Sequence, residues 1–395
     1  MIPLEKALAE VRSRCRPLAA VEVPLQEAHG RVLALPVRAG RDQPAQDISM
    51  MDGYALRAGE SQARVVGEIA AGDAPWERAL KSGEAARIFT GAPVPLGADS
   101  VVMQELCARE GDALRVLEPA KPGQHIRRRG EELSAGAEAI SAGAVLGPAE
   151  LSLAAACGAV KVSVYPKPRV AILVTGEELV PLGAAPGPGK LIETNSFALA
   201  ALCREADAEP ILLGIARDDA ELIAGKLREA RADILVTTGG ASVGDHDHAQ
   251  AALERISGAL VFHTVAIRPG KPVLFGTSRE RLVFGLPGNP AAATLGFELF
   301  VRLAIRILSG DPRPDRPRAR ARLRGSLQRI KGLTFFPRGR LDTELVFEPG
   351  GQQSSMQIAS WSGVNALAVI PPGEGRIDDG AEIEVLLLGP LLSAR

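Results

Sequence analysis

Apolar and polar positions change rhythm several times along this chain. Leu4, Ala7, Leu8 and Val11 recur at helical spacing, which predicts a short amphipathic helix followed by a Pro-punctuated extended stretch to residue 40. From Gly40 to about Gly147 the rhythm shortens. Runs such as Arg64–Ile69 and Ser100–Met103 sit between Gly and Pro turns and predict a small β-rich domain. Leu146–Val160 returns to a helical pattern. Beyond Arg169 uniformly apolar strands (Val170–Val174, Ile234–Val236, Pro272–Phe275, Leu282–Gly285, with another near Pro210–Gly214) alternate with helical segments at Ser196–Glu205 and Asp218–Ala230. A longer helix opens at Asn289-Pro290. Strands apolar on both faces, alternating with helices, predict a mostly parallel sheet covered on both sides. After a Pro-rich basic connector, Asp311–Arg318, the runs Ala366–Pro372 and Ile383–Leu386 predict a separate β domain.

The 395 residues exceed what one hydrophobic core usually supports, so several domains are expected. The expected fold is a multi-domain α/β plus β protein. Its charge is nearly balanced, Lys+Arg 46 against Asp+Glu 47, which argues against bulk electrostatic binding to nucleic acid or to an anionic membrane. Aromatics are only 4%, too few for a base-stacking platform. Cys15, Cys107, Cys157 and Cys203 lie far apart, so a zinc ribbon or redox pair is not expected, and reduced thiols point to a cytoplasmic protein. The N-terminal residues show no secretory pattern. Glu298, Arg302 and Arg306 interrupt the apolar stretch from Leu295 to Leu308, so we expect no membrane span there.

Candidate chemistry collects in the loops after the predicted parallel strands, where open α/β sheets bind ligands. Thr175–Glu178, Thr237–Gly240, Arg268–Lys271 and Leu286–Pro290 mix carboxylates, cations and glycine-exposed amides, a set suited to a phosphorylated ligand bridged by a divalent metal. Gly239–Asp247 is the sharpest segment. Its glycines let backbone N–H groups approach an anion, Ser242 adds a hydroxyl and Asp247 an oxygen ligand. It reads equally as a Gly-rich turn whose Asp caps the next helix. His246 and His248 alternate with acids and fit a solvated loop better than direct ligation. Asn289-Pro290 is a well-made helix start, and Arg268 with Lys271 beside it would repel unless an anion sat between them. Ser49–Ala55 and Phe89–Pro95 read locally as turns, and Arg127–Glu132 as a solvated charge run.

In order along the chain, Met51–Ala55, Phe89–Ala92, Arg129–Glu132, Val174–Leu179, Thr238–Asp247, Arg268–Pro272 and Leu286–Pro290 resemble the blocks of the molybdopterin molybdenumtransferase family, to which the gephyrin E domain also belongs. The resemblance implies four domains: residues 1–40 with 139–166, an inserted β-rich domain at 41–138, a molybdopterin-binding-type three-layer α/β domain at 167–309, and a C-terminal β-barrel at 310–395. It implies a homodimer with its site in a cleft between subunits. It also implies a reaction in which adenylylated molybdopterin and molybdate give molybdenum cofactor and AMP with Mg²⁺ or another divalent cation. By residue, it implies metal binding and catalysis at Asp52, Glu178 and Asp247. Substrate binding would fall to Thr90, Gly239, Gly240, Ser242, Pro287, Asn289 and Pro290, and molybdate binding to Arg268, Lys271, Arg338 and Ser355.

The chain departs from that pattern at Arg268 and Thr264, where the family often has Lys, and at Ala292, where a Ser is common. Arg grips an oxyanion in a different geometry from Lys, and a tungstate-preferring paralogue is one consequence to consider. Two further readings are a dimeric scaffold that clusters partners and a pterin carrier without turnover. Asp52, Glu178 and Asp247 weigh against the scaffold, which does not need convergent carboxylates. Other molybdenum-cofactor biosynthesis proteins and molybdoenzyme chaperones are the expected protein partners.

Overall fold

The computed structural model describes residues 1–239, 248–256 and 259–393. The candidates Gly240, Ser242, His246 and Asp247 lie outside them. The chain divides into two compact units, Met1–Val21 with Tyr165–Arg395, and Glu22–Val164.

In the first unit a six-stranded sheet forms the middle layer. Its four parallel strands are Glu209–Ala216, Arg169–Thr175, Ile234–Thr238 and Arg281–Leu286, in that spatial order; Leu274–Ser278 and Ala259–Phe262 then extend it antiparallel. Register puts Val236 between Ile172 and Phe284. Both faces are covered, which explains the unbroken apolar strands. One face packs Ile172, Val236 and Phe284 against the helices Asn195–Glu205 and Arg302–Leu308, and the other packs Leu173, Leu235 and Val283 against Ala220–Glu229 and His248–Ile256. The predicted N-terminal helix, Leu4–Arg14, buries Leu4, Ala7 and Val11 in the first of these cores.

The helix beginning at Pro290 runs through a π turn, Phe297–Val301, into Arg302–Leu308. Two of the three charges that interrupt its apolar pattern are ion-paired within the protein, and the third, Arg302, donates to the Pro314 carbonyl at 3.1 Å. Glu298 is buried and receives Arg316 Nε and Nη2, each at 2.9 Å, while Arg306 pairs with Asp311. The connector after this helix is therefore tied to it by two ion pairs. Among the described residues no helix is long and apolar enough to cross a membrane. Five strands beyond the connector close a barrel around Leu341, Phe347, Ala368 and Val385.

The second unit contains a six-stranded sheet in which Gly53–Leu56 lies between Glu84–Ile88 and Ser100–Met103. The helical pattern after Leu146 forms Pro148–Ala156, with Pro at its first turn, and packs Ala154 against Leu33, Ile140 and Val164. All four cysteines are free thiols, and burial pushes Cys15 and Cys203 up to about 12 and Cys107 to about 11.

Candidate functional site

The carboxyl ends of the parallel strands open onto a cavity of about 540 Å³ lined by Glu178, Asn195, Asp218, Gly239, Pro287 and Asn289, among others. Its floor is shaped by close backbone approach. Gly239 has φ +102°, and a Cβ there would stand 2.1 Å from the Thr175 carbonyl oxygen; Gly288 comes within 3.2 Å of Gly239 in the same sense. Buried Asn195 ties these loops together, donating to Thr238 Oγ1 (2.8 Å) and to the Gly288 carbonyl (2.9 Å), while Thr238 donates to the Pro287 carbonyl (2.9 Å). Both oxygens of buried Glu193 accept from Ser196, one from the backbone N–H and one from the hydroxyl, each at 2.6 Å, which fixes the start of the helix carrying Asn195. Glu178 is exposed at the rim. Sequence reasoning passed over Glu193, Asn195 and Asp218; the polar run Glu193–Ser196 at a helix start was the available signal.

A second cavity, about 740 Å³, shares Pro272, Pro287 and Asn289 with the first and adds Arg268, Lys271, Gln353 and Ser355. Five of the residues expected at an oxyanion and substrate site, Arg268, Lys271, Pro287, Asn289 and Ser355, therefore share one cavity wall, although Arg268 and Ser355 are far apart in the chain. Arg268 sits on a short strand paired to Thr334–Phe335, with its guanidinium 5.9 Å from the Phe335 ring centre. Asn289 departs from expectation. It precedes the helix, but its side chain makes no cap and instead donates to Ser355 Oγ at 3.3 Å. The amide is drawn off because Ser355 lies against the first helical turn, where its carbonyl accepts from Ala291 N–H.

Arg338 is only 1% exposed and lies next to this second cavity. Its Nη2 donates to the Ser354 carbonyl at 3.1 Å, Nε and Nη1 have no partner among the described residues, and no carboxylate pairs with it. The Trp361 ring centre stands 6.0 Å away, and burial lowers the pKa of the guanidinium. A buried cation with two orphaned donors is costly unless an anion completes it.

In the second unit Asp52 is exposed, and its Oδ1 accepts from Thr90 N–H and Thr90 Oγ1, both at 2.8 Å. These two bonds, with the Arg87 cation nearby, hold the Asp52 carboxyl below its usual pKa. Oδ2 accepts nothing from the described residues. Thr90 was expected to donate to substrate; here its hydroxyl proton is engaged by Asp52, so its immediate effect is to aim that carboxylate. The charge run Arg127–Glu132 is exposed but anchored, with Arg128 and Arg129 bound to Asp47 and Asp42.

Donor chemistry fits a hard cation. Asp52 in one unit and Glu178 in the other each offer carboxylate oxygens, the donor type of which Mg²⁺ commonly takes one or two along with phosphate and water. Among the described residues no group of three His, Cys, Asp or Glu side chains is placed to hold a metal ion.

A mostly parallel α/β sheet with a carboxylate-bearing cavity at its strand ends, a cavity bearing Arg268 and Lys271 beside it and a following closed barrel defines a multi-domain α/β plus β protein. Comparison with known proteins narrows this. Residues 2–158 match the MoeA N-terminal region (domain I and II), 171–307 a probable molybdopterin binding domain, and 320–388 the MoeA C-terminal region (domain IV). A molybdopterin molybdenumtransferase from a Nostoc species is 38% identical, the match covering 93% of this chain and 88% of the relative. Molybdopterin molybdenumtransferase 2 of Mycobacterium tuberculosis is 35% identical over 96% and 97%. Among solved structures, a molybdopterin biosynthesis moea protein from Pyrococcus horikoshii matches with a TM-score of 0.87 at 32% identity, covering 99% of this chain and 100% of that one. The chain belongs to the molybdopterin molybdenumtransferase family, and its fold is of the MoeA type.

Proposed function

We propose that this protein is a transferase of molybdenum cofactor biosynthesis that inserts molybdate into adenylylated molybdopterin, cleaving the pyrophosphate link and releasing AMP. The observation that carries the reading is buried Arg338, two of whose guanidinium nitrogens find no partner among the described residues, and whose third donates to Ser354 on the wall of the cavity that holds Arg268, Lys271 and Ser355. A tetrahedral dianion gives up strong hydration on entering such a site, and charge-assisted hydrogen bonds of about 1.5–3 kcal/mol each compensate for it. The adjoining cavity, with Gly239, Pro287, Asn289 and Pro290 on its walls, is the proposed place for the pterin and its phosphates. Gly240 and Ser242, outside the described residues, are proposed to bind substrate as well.

Asp52, Glu178 and Asp247 are the proposed ligands and positioning groups for a divalent cation, Mg²⁺ by donor type. When bound, the cation neutralises charge building on the pyrophosphate. Thr90 fixes the direction of Asp52, and the exposed Glu178 meets the phosphates at the cavity rim. We further propose a cytoplasmic homodimer in which Asp52 of one subunit completes the site carrying Glu178 and Asp247 of the other. The four-domain division that the resemblance implies is part of this proposal.

The test is direct. Purified protein incubated with adenylylated molybdopterin, Mg²⁺ and molybdate is expected to release AMP in step with active cofactor. Binding of the pterin without AMP release would leave a carrier, and absence of binding a scaffold.

A further inference from the structure

Two neighbouring motifs, Met51–Ala55 and Phe89–Ala92, carry Asp52 and Thr90, yet the side chain that joins them belongs to neither. Arg87 lies directly opposite Tyr54 across the antiparallel pair Gly53–Leu56 and Glu84–Ile88. Its guanidinium packs 5.2 Å from the Tyr54 ring centre and 4.8 Å from that of Phe89. From there it forks. Nη1 donates to the Gly53 carbonyl at 3.0 Å, and Nη2 to Gln104 Oε1 at 2.6 Å. The backbone N–H of that same Gln104 donates to the Asp52 carbonyl at 3.1 Å. The carbonyls of Asp52 and Gly53 are therefore both held, one by Gln104 and one by Arg87, and the two holders are bonded to each other. No side chain fits at Gly53, because a Cβ there would stand 1.9 Å from the Val102 carbonyl oxygen of the neighbouring strand.

We infer that Arg87 is a positioning residue whose forked guanidinium fixes the Asp52–Gly53 backbone and so aims the free Oδ2 of Asp52 at the divalent cation. The inference rests on the proposed role of Asp52 and adds the residue that sets its geometry. Thr90 holds one carboxylate oxygen; Arg87 and Gln104 hold the backbone from which that carboxylate projects. Two diverging donors are needed, since the acceptors belong to different strand ends. Lysine would keep the charge and the contact with the rings, but as a point donor it cannot span both acceptors with fixed geometry.

The test compares full-length wild type with Arg87→Lys and Arg87→Met in two assays. In hydrogen exchange, both variants are expected to speed the Gln104 and Thr90 amides roughly tenfold or more, while Ala55 and Ala86 in the same sheet keep their wild-type protection. In AMP release, both are expected to lower kcat by roughly ten- to a hundredfold, the effect of misplacing a group by about 1 Å, and to raise the half-saturating Mg²⁺ concentration. The molybdate requirement is expected to stay where it was. Full rescue by Arg87→Lys would overturn the forked clamp and leave only a charge effect. Unchanged exchange at Gln104 and Thr90, or equal increases in the Mg²⁺ and molybdate requirements with faster exchange throughout the sheet, would overturn the inference. Wild-type protein that released no AMP would overturn the enzymatic reading alone, and the exchange comparison would then decide the role of Arg87.

Discussion

Replacing Arg338 by methionine sets stability against function. Arg338 is 1% exposed, its guanidinium donates one hydrogen bond from Nη2, and Nε and Nη1 find no partner among the described residues. Burying such a cation costs several kcal/mol after relaxation. The bond to Ser354 returns about 1.5–3 kcal/mol, and the contact with Trp361 about 0.5–2 kcal/mol. Methionine fills similar space without a charge to desolvate, so Arg338→Met should raise stability by about 1–2 kcal/mol. For a unit of this size that corresponds to roughly 2–8 °C in Tm. Molybdate should reverse the order. At about a hundred times its Kd a ligand adds ~2.7 kcal/mol to the protein that binds it and nothing to one that does not. Thermal denaturation with and without molybdate reads both effects. A variant less stable than wild type without oxyanion, or one that molybdate stabilises as much as wild type, would refute the reasoning.

Two further predictions follow from paired charges. Glu298→Ala strands Arg316 beside the long helix and should cost about 3–5 kcal/mol in chemical denaturation, since it breaks a largely buried, doubly bonded pair; a loss under 1 kcal/mol would show the pair to be solvated. Asp42 accepts from the Ala135 N–H and from Arg129, and these bonds depress its pKa. A depressed carboxyl stabilises above its unfolded-state pKa, near 3.8, and that contribution is lost as pH falls through the lower folded value. The Ala135 amide resonance should therefore hold steady from neutral pH down to about 4 and move only below it. A midpoint at or above the ordinary aspartate value would contradict this.

The architecture was legible where one physical rule dominates. Strands buried on both faces have to be apolar throughout, so Val170–Val174 and Ile234–Val236 announced the parallel sheet. The site was legible only in blocks. Arg87 escaped notice because its partners, Gly53, Tyr54 and Gln104, become neighbours through strand register, and register does not show in local spacing. Asn289 looked like a helix cap because its competitor, Ser355, arrives from a distant loop. Glu193 and Asn195 are polar residues spent on holding loops, and nothing in their own segment indicates which loops. The orphaned nitrogens of Arg338 are likewise a property of packing.

The most direct measurement of the central claim is complementation between two inactive proteins. Asp52→Asn and Asp247→Asn dimers, unfolded together and reassembled, should form mixed dimers as half the population. If each site draws Asp52 from one subunit and Asp247 from the other, every mixed dimer carries one intact site, and AMP release should recover to roughly a quarter of the wild-type rate. If both residues serve the same subunit's site, no site in the mixture is intact. Activity that stays at the level of the separate variants, with mixed dimers demonstrably present, would contradict a site shared between subunits.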